Sequence, residues 1–495
     1  MPGKKQEKHP RARVRMYRQG LGDCFLVTFY TGKSPVHALI DCGTLGATTT
    51  GVKMAEVVES IGAETGDHLD LLVATHEHRD HVSGFNSERA RFDRIRADHV
   101  WAAWTEDGSD PLAREVAKYK GDVLEAVALA AHALAGDHAA APGDRAPLAE
   151  MRSGVRELLG FYGDLPAEGE PIGLAFAAGV HEAMSYVTRK AGDAVRFLSP
   201  GTVVEEDWLP GVRVYVLGPP RDRARLNNMG GHGSPELYAA SGALAAQLGA
   251  SIGFGASGKS YADYRKELDA DQADDFQQRL PFEPRFRVES TDQKACGERF
   301  ESYYDPDQAW RRIDLDWLNG SSELALQLDS LTNNTSLAMA VELVDDGTVL
   351  LFAADAQVGN WLSWHDHAFK VVEKGKEKEV KAADLLARAV FYKVGHHASH
   401  NATVNEKGLE LMIREDLMAA IPVDRQVALK KHPQWMMPAD ALYARLLEKT
   451  HGRVLRSDTG WPDPRPASIG EARWQKTQEA APIVIDRLYI DFNIY

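Results

Sequence analysis

Two hydrophobic patterns alternate along the chain. Short apolar runs, bounded by glycine or aspartate, have the length and β-branching of strands. Longer stretches carry apolar residues every three to four positions, the spacing of a helix face. Arg13–Tyr30 reads as two strands around Gln19-Gly-Leu-Gly-Asp23, a glycine-rich turn. Leu26–Tyr30 and His37–Asp41 read as the arms of a hairpin, the second closed by Asp41-Cys-Gly43. Val52–Ile61 has helical spacing and leads to the apolar run Leu71-Leu-Val-Ala74. Such an order of strands and helix suits a sheet covered by helices.

Residues from about 105 to 190 change character. Asp122 is placed to cap a helix with Val123, Leu124, Val127 and Leu134 on its apolar face, ending at Gly136. A second helix is expected over Pro147–Leu159, stopped by Gly160. This stretch reads as a helical insertion whose alanine and leucine stripe serves packing, not a cofactor. Strands return at Val195–Leu198 and Val212–Leu217. From about 221 to 315 the chain is rich in Gly, Asp, Arg and Gln with little periodicity, and reads as a long irregular insertion. Within it Gly253–Ser260 has the letters of a phosphate loop. No apolar strand precedes it, so a solvated loop is expected. Leu337–Val344 and Thr348–Ala353 form a hairpin across Asp345-Asp-Gly347. Ala389–Val394 is a further strand, Ala439–Thr450 a helix, and Leu488–Tyr495 a closing strand. Residues 1–12 read as a disordered tail, and 13–495 as one domain carrying the two insertions.

Composition changes this picture in two places. The net charge of −15 disfavours non-specific adhesion to nucleic acid or anionic membrane, while leaving room for a local basic groove. The three cysteines, Cys24, Cys42 and Cys296, include no Cys-x-x-Cys pair. That usage suits reduced thiols in a cytoplasmic protein, not a disulfide framework. No apolar segment follows the basic N-terminus, and no run is long enough to span a bilayer, so neither a signal peptide nor a membrane partner is expected.

The candidate chemistry sits at strand ends. His76, His78, Asp80 and His81 follow the run Leu71–Ala74. Neutral imidazole and carboxylate are what zinc-class ions take. In extended backbone, residues two apart point the same way. His76 and His78 can therefore reach one ion, and a turn at Asp80–His81 can face a second. A zincin helix needs His-Glu-x-x-His, but the position four after His76 is Asp80. A polar turn with incidental histidines is the plain alternative; it suits one histidine better than three beside an aspartate. Asp355 follows a buried strand and can bridge two ions, with a helix N-cap as its plain alternative. His396, His397 and His400 follow the strand Ala389–Val394. His432 stands in Lys431-His-Pro-Gln-Trp435, on the surface or within reach of a substrate.

His-x-His-x-Asp-His after an apolar strand resembles the signature of the metallo-β-lactamase superfamily. The remaining motifs resemble one branch, the soluble metallo-hydrolase domain of ComEC-type competence proteins. Gly20-Leu-Gly-Asp23 stands for its Gly-Gln-Gly-Asp, and Leu39-Ile-Asp-Cys-Gly43 for its next motif. Asn333-Asn-Thr-Ser-Leu337 resembles its Asn-Asn-x-Ser-Leu, and Ala354-Asp-Ala356 its Gly-Asp-Ala. Lys393-Val-Gly-His-His-Ala-Ser399 stands for its Lys-x-Pro-His-His-Gly-Ser, and His432-Pro433 for its late His-Pro. The matches run from residue 14 to about 460 and skip both insertions. The resemblance implies an α/β fold, an αββα sandwich with the motif residues at one sheet edge. It implies two divalent transition metals, zinc or else manganese. By it, His76 and His78 hold the first ion, while Asp80, His81 and His397 hold the second, His397 being preferred over His396. Asp355 bridges the two, and the first ion's third histidine has no counterpart. Asp41 orients a motif histidine. Asp23, Asn334, His396, Ser399, His400 and His432 stand behind the ligands or touch substrate. Ala354 and Ala398 replace family glycines, and as small residues are expected to do little harm.

The implied activity is that of a metal-dependent hydrolase, a phosphodiesterase or nuclease using a metal-bound hydroxide. Asp80 and Asp355 are its catalytic carboxylates, and Ser399, His400 or His432 contacts the substrate or protonates the leaving group. A phosphodiester or nucleic acid is the implied partner. Arg11, Arg13, Arg15, Lys430 and Lys431 are available to a phosphate backbone or simply to solvent. One alternative is a carbonyl hydrolase of the same fold, a lactamase, lactonase or thioesterase. Another is a non-catalytic metal-binding regulatory module. The transmembrane part of competence proteins has no counterpart, so DNA uptake is not implied. Asp355→Ala is expected to cut phosphodiester hydrolysis by orders of magnitude and leave the fold intact.

Overall fold

A computed structural model describes residues 9–135, 145–167, 172, 174–228, 266, 316–373, 375–431 and 435–495. The chain divides into two compact units. The first comprises Met1–Arg114, Gly179–Gly233 and Ser330–Tyr495, the second Glu115–Ala178 and Ser234–Asp329.

The first unit is a mixed α/β structure. Its strands are β1 (Ala12–Tyr17), β2 (Cys24–Phe29), β3 (Val36–Cys42), β4 (His68–Ala74), β5 (Arg96–Ala103), β6 (Val195–Leu198), β7 (Val203–Val204), β8 (Val212–Gly218) and β9 (Ala338–Leu343). They continue with β10 (Thr348–Phe352), β11 (Ala368–Glu373), β12 (Lys376–Lys381), β13 (Ala389–Lys393), β14 (Met418–Ile421), β15 (Val454–Arg456), β16 (Ile483–Ile485) and β17 (Tyr489–Ile494). One sheet runs β16-β17-β1-β2-β3-β4-β5-β6, and a second runs β15-β14-β13-β10-β9-β8-β7. Both are mixed. β3 to β6 pair in parallel, and so do β10, β13, β14 and β15. The remaining ladders in these two sheets are antiparallel. β11 and β12 form a separate hairpin.

Strand alternation builds the core between the sheets. Val14, Met16, Val27 and Val73 from the first sheet share one apolar cluster with Val214, Val341, Leu350 and Met418 from the second. Aromatic edges bridge the layers: Phe25 meets Phe352 at 6.2 Å and Phe492 meets Phe391 at 5.2 Å, both near-perpendicular, the geometry aromatic rings prefer. On the outer face of the first sheet, Leu39 and Leu72 pack against the helices Met54–Thr65, Arg79–Ser87 and Ala178–Arg189 through Val57, Ile61, Phe85 and Met184. On the outer face of the second, Leu351 and Tyr392 pack with Trp361, Trp364, Leu385 and Leu446 of later helices. The layers are helix, sheet, sheet, helix, an α/β sandwich.

Several elements differ from expectation. The helix expected to start at Asp122 runs from Pro111 to Ala135. Its cap is Asp110, whose carboxylate accepts from Leu112 N at 2.8 Å and Ala113 N at 3.2 Å, with Pro111 at the first helical position. Asp122 sits mid-helix, paired with Lys118 at 2.8 Å. β5, β14 and β15 were not legible. β5 opens on Arg-Ala-Asp-His, and the other two are four and three residues long. Residues 253–260 lie outside the described residues, as do most of 221–315. In the second unit, Val127, Val155 and Leu324 are buried, and the Tyr162 hydroxyl donates to Leu328 O at 3.1 Å. Among the described residues no helix is long and apolar enough to cross a membrane.

Candidate metal centre

The C-terminal ends of β4, β10 and β13 meet at one edge of the sandwich. After β4 the chain bends at Glu77, and His78, in extended backbone, occupies the N-cap position of the helix Arg79–Ser87 without a side-chain cap bond. Asp80 and His81 therefore stand in a first helical turn and not in the expected open turn. Two glycines let neighbouring loops close on this backbone. A Cβ at Gly43 would stand 2.4 Å from Asp80 O and from His81 N, and one at Gly22 2.7 Å from Asp80 O. Asp23 N reaches Asp80 O at 2.9 Å, and Asp23 O accepts from Gly43 N at 2.9 Å.

Asp23, His81, Asp355 and His397 form a buried group close enough to hold a metal ion. The two imidazoles are anchored on their Nδ1 side. His397 Nδ1 donates to Pro422 O at 2.7 Å, and His81 Nδ1 faces Asp41 Oδ2 at 2.8 Å. Their Nε2 atoms then face carboxylates. His397 Nε2 lies 2.7 Å from Asp80 Oδ2 and 3.7 Å from Asp355 Oδ2. His81 Nε2 lies 3.1 Å from Asp355 Oδ2 and 3.7 Å from Asp80 Oδ2. Tetrahedral zinc, with ligands at about 2.0–2.2 Å, separates ligand atoms by roughly 3.3–3.5 Å, inside this range. Asp80 Oδ1 is buried with no hydrogen-bond partner among the described residues, while Asp355 Oδ2 and His81 Nε2 meet as a buried ion pair.

Asp23 stands behind the rings, 3.8 Å from His81 Nδ1 and 3.9 Å from His397 Nδ1. That side already holds a cation. Lys393 Nζ lies 2.6 Å from Asp23 Oδ2, 2.9 Å from Asp355 Oδ1 and 2.7 Å from Ala354 O. Asp80 lies closer to the two imidazoles on the Nε2 side than Asp23 does on the Nδ1 side.

His76 and His78 form a second pair. His76 Nε2 lies 3.2 Å from His78 Nδ1, again the spacing of two ligands on one ion. The Thr75 hydroxyl gives its one proton to Asp41 Oδ2 at 2.7 Å, so it accepts from His76 Nδ1 at 3.2 Å. That turns a lone pair on His76 Nε2 toward His78. Among the described residues these two belong to no set of three or more clustered ligand side chains.

Electrostatics separate the pairs. Burial, then His81, holds His76 well below the ordinary histidine range, and burial pulls His78 down to about 3. Both are neutral, the form that binds metal. At His81 and His397 burial also opposes charge, but Asp355 and the neighbouring carboxylates overcome it and raise both. Burial pushes the Asp355 carboxyl up, yet Lys393, His81 and His397 hold it well below the usual range. The reason is local. An imidazole whose Nδ1–H is given to a carbonyl cannot bring a bare Nε2 to 2.7 Å from a carboxylate. A proton or a metal ion must stand between them.

The backbone is strained around the site. Asp41, Ala354, His396, His397 and Ala398 have φ of 55°, 49°, 41°, 51° and 62°. Left-handed backbone costs a non-glycine residue about 1–2 kcal/mol. The alanines at 354 and 398 therefore carry a backbone cost that their small size does not remove, which corrects the expectation of little harm.

Other expected site residues fare differently. Ser399 Oγ donates to Asn401 Oδ1 at 2.7 Å and so accepts from His396 Nδ1 at 2.9 Å, which orients His396. His396 N donates to Asp355 Oδ1 at 3.0 Å. Asn334 does not face the centre. It donates to Leu226 O and Asn228 O at 3.0 Å and accepts from Asn360 N at 3.1 Å, tying loops together. His400 is exposed, and His432 lies outside the described residues. The N-terminal arginines are not a phosphate-binding row. Arg11 pairs with Asp346 at 2.8 Å, Arg13 with Glu64, and buried Arg15 with Asp491 at 2.7 Å. Lys430 is exposed, and Lys431 lies 5.1 Å from the Trp435 ring centroid. Asp355→Ala is not neutral for the fold, because Asp355 is buried and neutralises Lys393. Lys393 and Thr75 were missed. The signal for Lys393 was a cation ending a fully buried strand, which demands a buried anion.

No family model matches the chain, and no curated protein matches it.

Proposed function

We propose that the chain is a metal-dependent hydrolase that cleaves phosphodiesters and has the metallo-β-lactamase fold its motifs resemble. One observation carries the reading: His81 and His397, each anchored through Nδ1, turn Nε2 toward the buried carboxylates of Asp80 and Asp355, and Asp80 Oδ1 there has no hydrogen-bond partner among the described residues. Buried carboxylate oxygens without partners are costly, and a divalent cation satisfies them. The donor set of imidazoles and carboxylates suits zinc or manganese. When bound, such ions lower the pKa of a coordinated water and polarise a phosphoryl oxygen.

The chain's own groups have separate tasks. Asp41 and Pro422 hold His81 and His397 in the tautomer that offers Nε2. Thr75 does the same for His76. Asp355 offers Oδ2, and Asp80 has Oδ1 to spare for orienting a water. The choice of phosphodiester rests on the motif resemblance. The test uses the purified full chain with zinc or manganese against a chromogenic phosphodiester, a chromogenic cephalosporin, a lactone and a thioester. Faster turnover of the phosphodiester is the expected result. A faster carbonyl substrate replaces this reading with the carbonyl hydrolase. Bound metal with no turnover of any substrate leaves the regulatory module.

A further inference from the structure

We propose that Lys393 is a positioning residue whose ammonium clamps Asp355, so that one carboxylate oxygen, Oδ2, is presented to a metal ion. The proposal rests on the reading above that an ion binds on the Nε2 side of His81 and His397.

Lys393 is the last residue of β13, a strand buried along its whole length. Its side chain is 1% exposed, so it cannot touch a substrate. An ammonium has three N–H donors and no acceptor. Here there are three acceptors for them: Asp23 Oδ2 at 2.6 Å, Ala354 O at 2.7 Å and Asp355 Oδ1 at 2.9 Å. Nothing is left over for chemistry, and little freedom remains for the side chain.

The effect on Asp355 is to divide its carboxylate. Oδ1 accepts from Lys393 Nζ and from His396 N at 3.0 Å, which uses both of its lone-pair directions. Oδ2 accepts from neither of these and faces His81 Nε2 at 3.1 Å and His397 Nε2 at 3.7 Å. An unclamped carboxylate can rotate and chelate with both oxygens. A clamped one offers a single oxygen at a set place.

Asp23 is the other arm of the device. Its backbone N is bonded to Asp80 O at 2.9 Å. The path Asp80 backbone, Asp23, Lys393, Asp355 therefore ties the first sheet's edge to the second sheet's edge. It sets the separation of the two carboxylates that face the ion. Sequence alone suggests no such role, because Asp23 precedes β2 of the first sheet and Lys393 ends β13 of the second, far apart along the chain.

The test loads cobalt(II) into the full chain as wild type, Lys393→Met and Asp23→Asn. It reads affinity by titration, the visible d–d absorption of the bound ion, and the melting curve of the metal-free protein. Loss of the clamp is expected to weaken cobalt binding about 10- to 100-fold in Lys393→Met, with a changed d–d envelope as Asp355 rotates. Asp23→Asn is expected to change both readouts in the same direction by less. A lower melting temperature with wild-type affinity and spectrum in the folded protein makes Lys393 merely structural and overturns the proposal. If Lys393→Met does not fold, Asp23→Asn decides, and an unchanged spectrum and affinity overturn it. If wild type itself binds no cobalt, the metal reading fails instead.

Discussion

His81 and His397 meet two carboxylates, while His76 meets the rings of His78 and His81. The first pair is anchored through Nδ1 by Asp41 and Pro422, and its partners are Asp80 and Asp355. In the second pair the Thr75 hydroxyl anchors His76 Nδ1. The difference teaches which half is ready for an ion. Carboxylates bring charge as well as donor atoms, and fixed tautomers remove the cost of ordering the rings. The Asp80 half should fill first. The His76 half should fill second and release its ion sooner.

Four experiments break or sharpen this comparison. The largest effect is expected from Asp355→Asn, which keeps the shape and removes the charge. Metal content should fall and phosphodiester turnover should drop roughly a thousandfold, about 4 kcal/mol of barrier. Steady-state rates with metal analysis on the same sample check it, and near-normal rates refute the shared carboxylate. Next come the two halves taken singly. His397→Ala should lose the tighter ion on dialysis. The pair His76→Ala and His78→Ala should keep it and lose the weaker one. The reverse order of loss would overturn the ranking.

A smaller effect concerns pH. His81 and His397 are raised in the folded, metal-free protein. Their stabilisation is complete below the unfolded value of about 6.5 and is lost as pH rises through the raised values. Metal must displace those same protons, so binding tightens as pH rises. Zinc should therefore raise the melting temperature more at pH 8 than at pH 6. Equal shifts at both would mean that the ion avoids these imidazoles. The smallest effect is Ala398→Gly. Relief of the left-handed strain at 62° outweighs the entropy of glycine, for a net gain of about 0.5–1 kcal/mol. Denaturant unfolding reads it, and a loss of stability would show that the alanine methyl group contributes packing worth more than the strain.

Much of the layered fold was legible. β6, β8, β10, β13 and β17 lie within a residue or two of the apolar runs, because strand burial writes itself locally. β5, β14 and β15 were not, because they are polar at one end or too short to show a period. The cap lies at Asp110, where Pro111 opens the helix, while Asp122 serves a helical ion pair; both aspartates precede apolar helical spacing, so sequence alone does not separate them.

For the centre, sequence determined the residue types and their place at strand ends. Ligand chemistry belongs to side chains, and a strand's end belongs to its own hydrophobic run. Tertiary structure decided the rest. It chose which nitrogen of each ring faces an ion, by setting Asp41 against His81 and Pro422 against His397. It set Lys393 against Asp23 and Asp355 on one side of the rings and Asp80 against His397 on the other. Asp80 and His397 touch across 317 positions of chain. Contact at that separation is made by two sheets closing on one core, and no local pattern of residues encodes it.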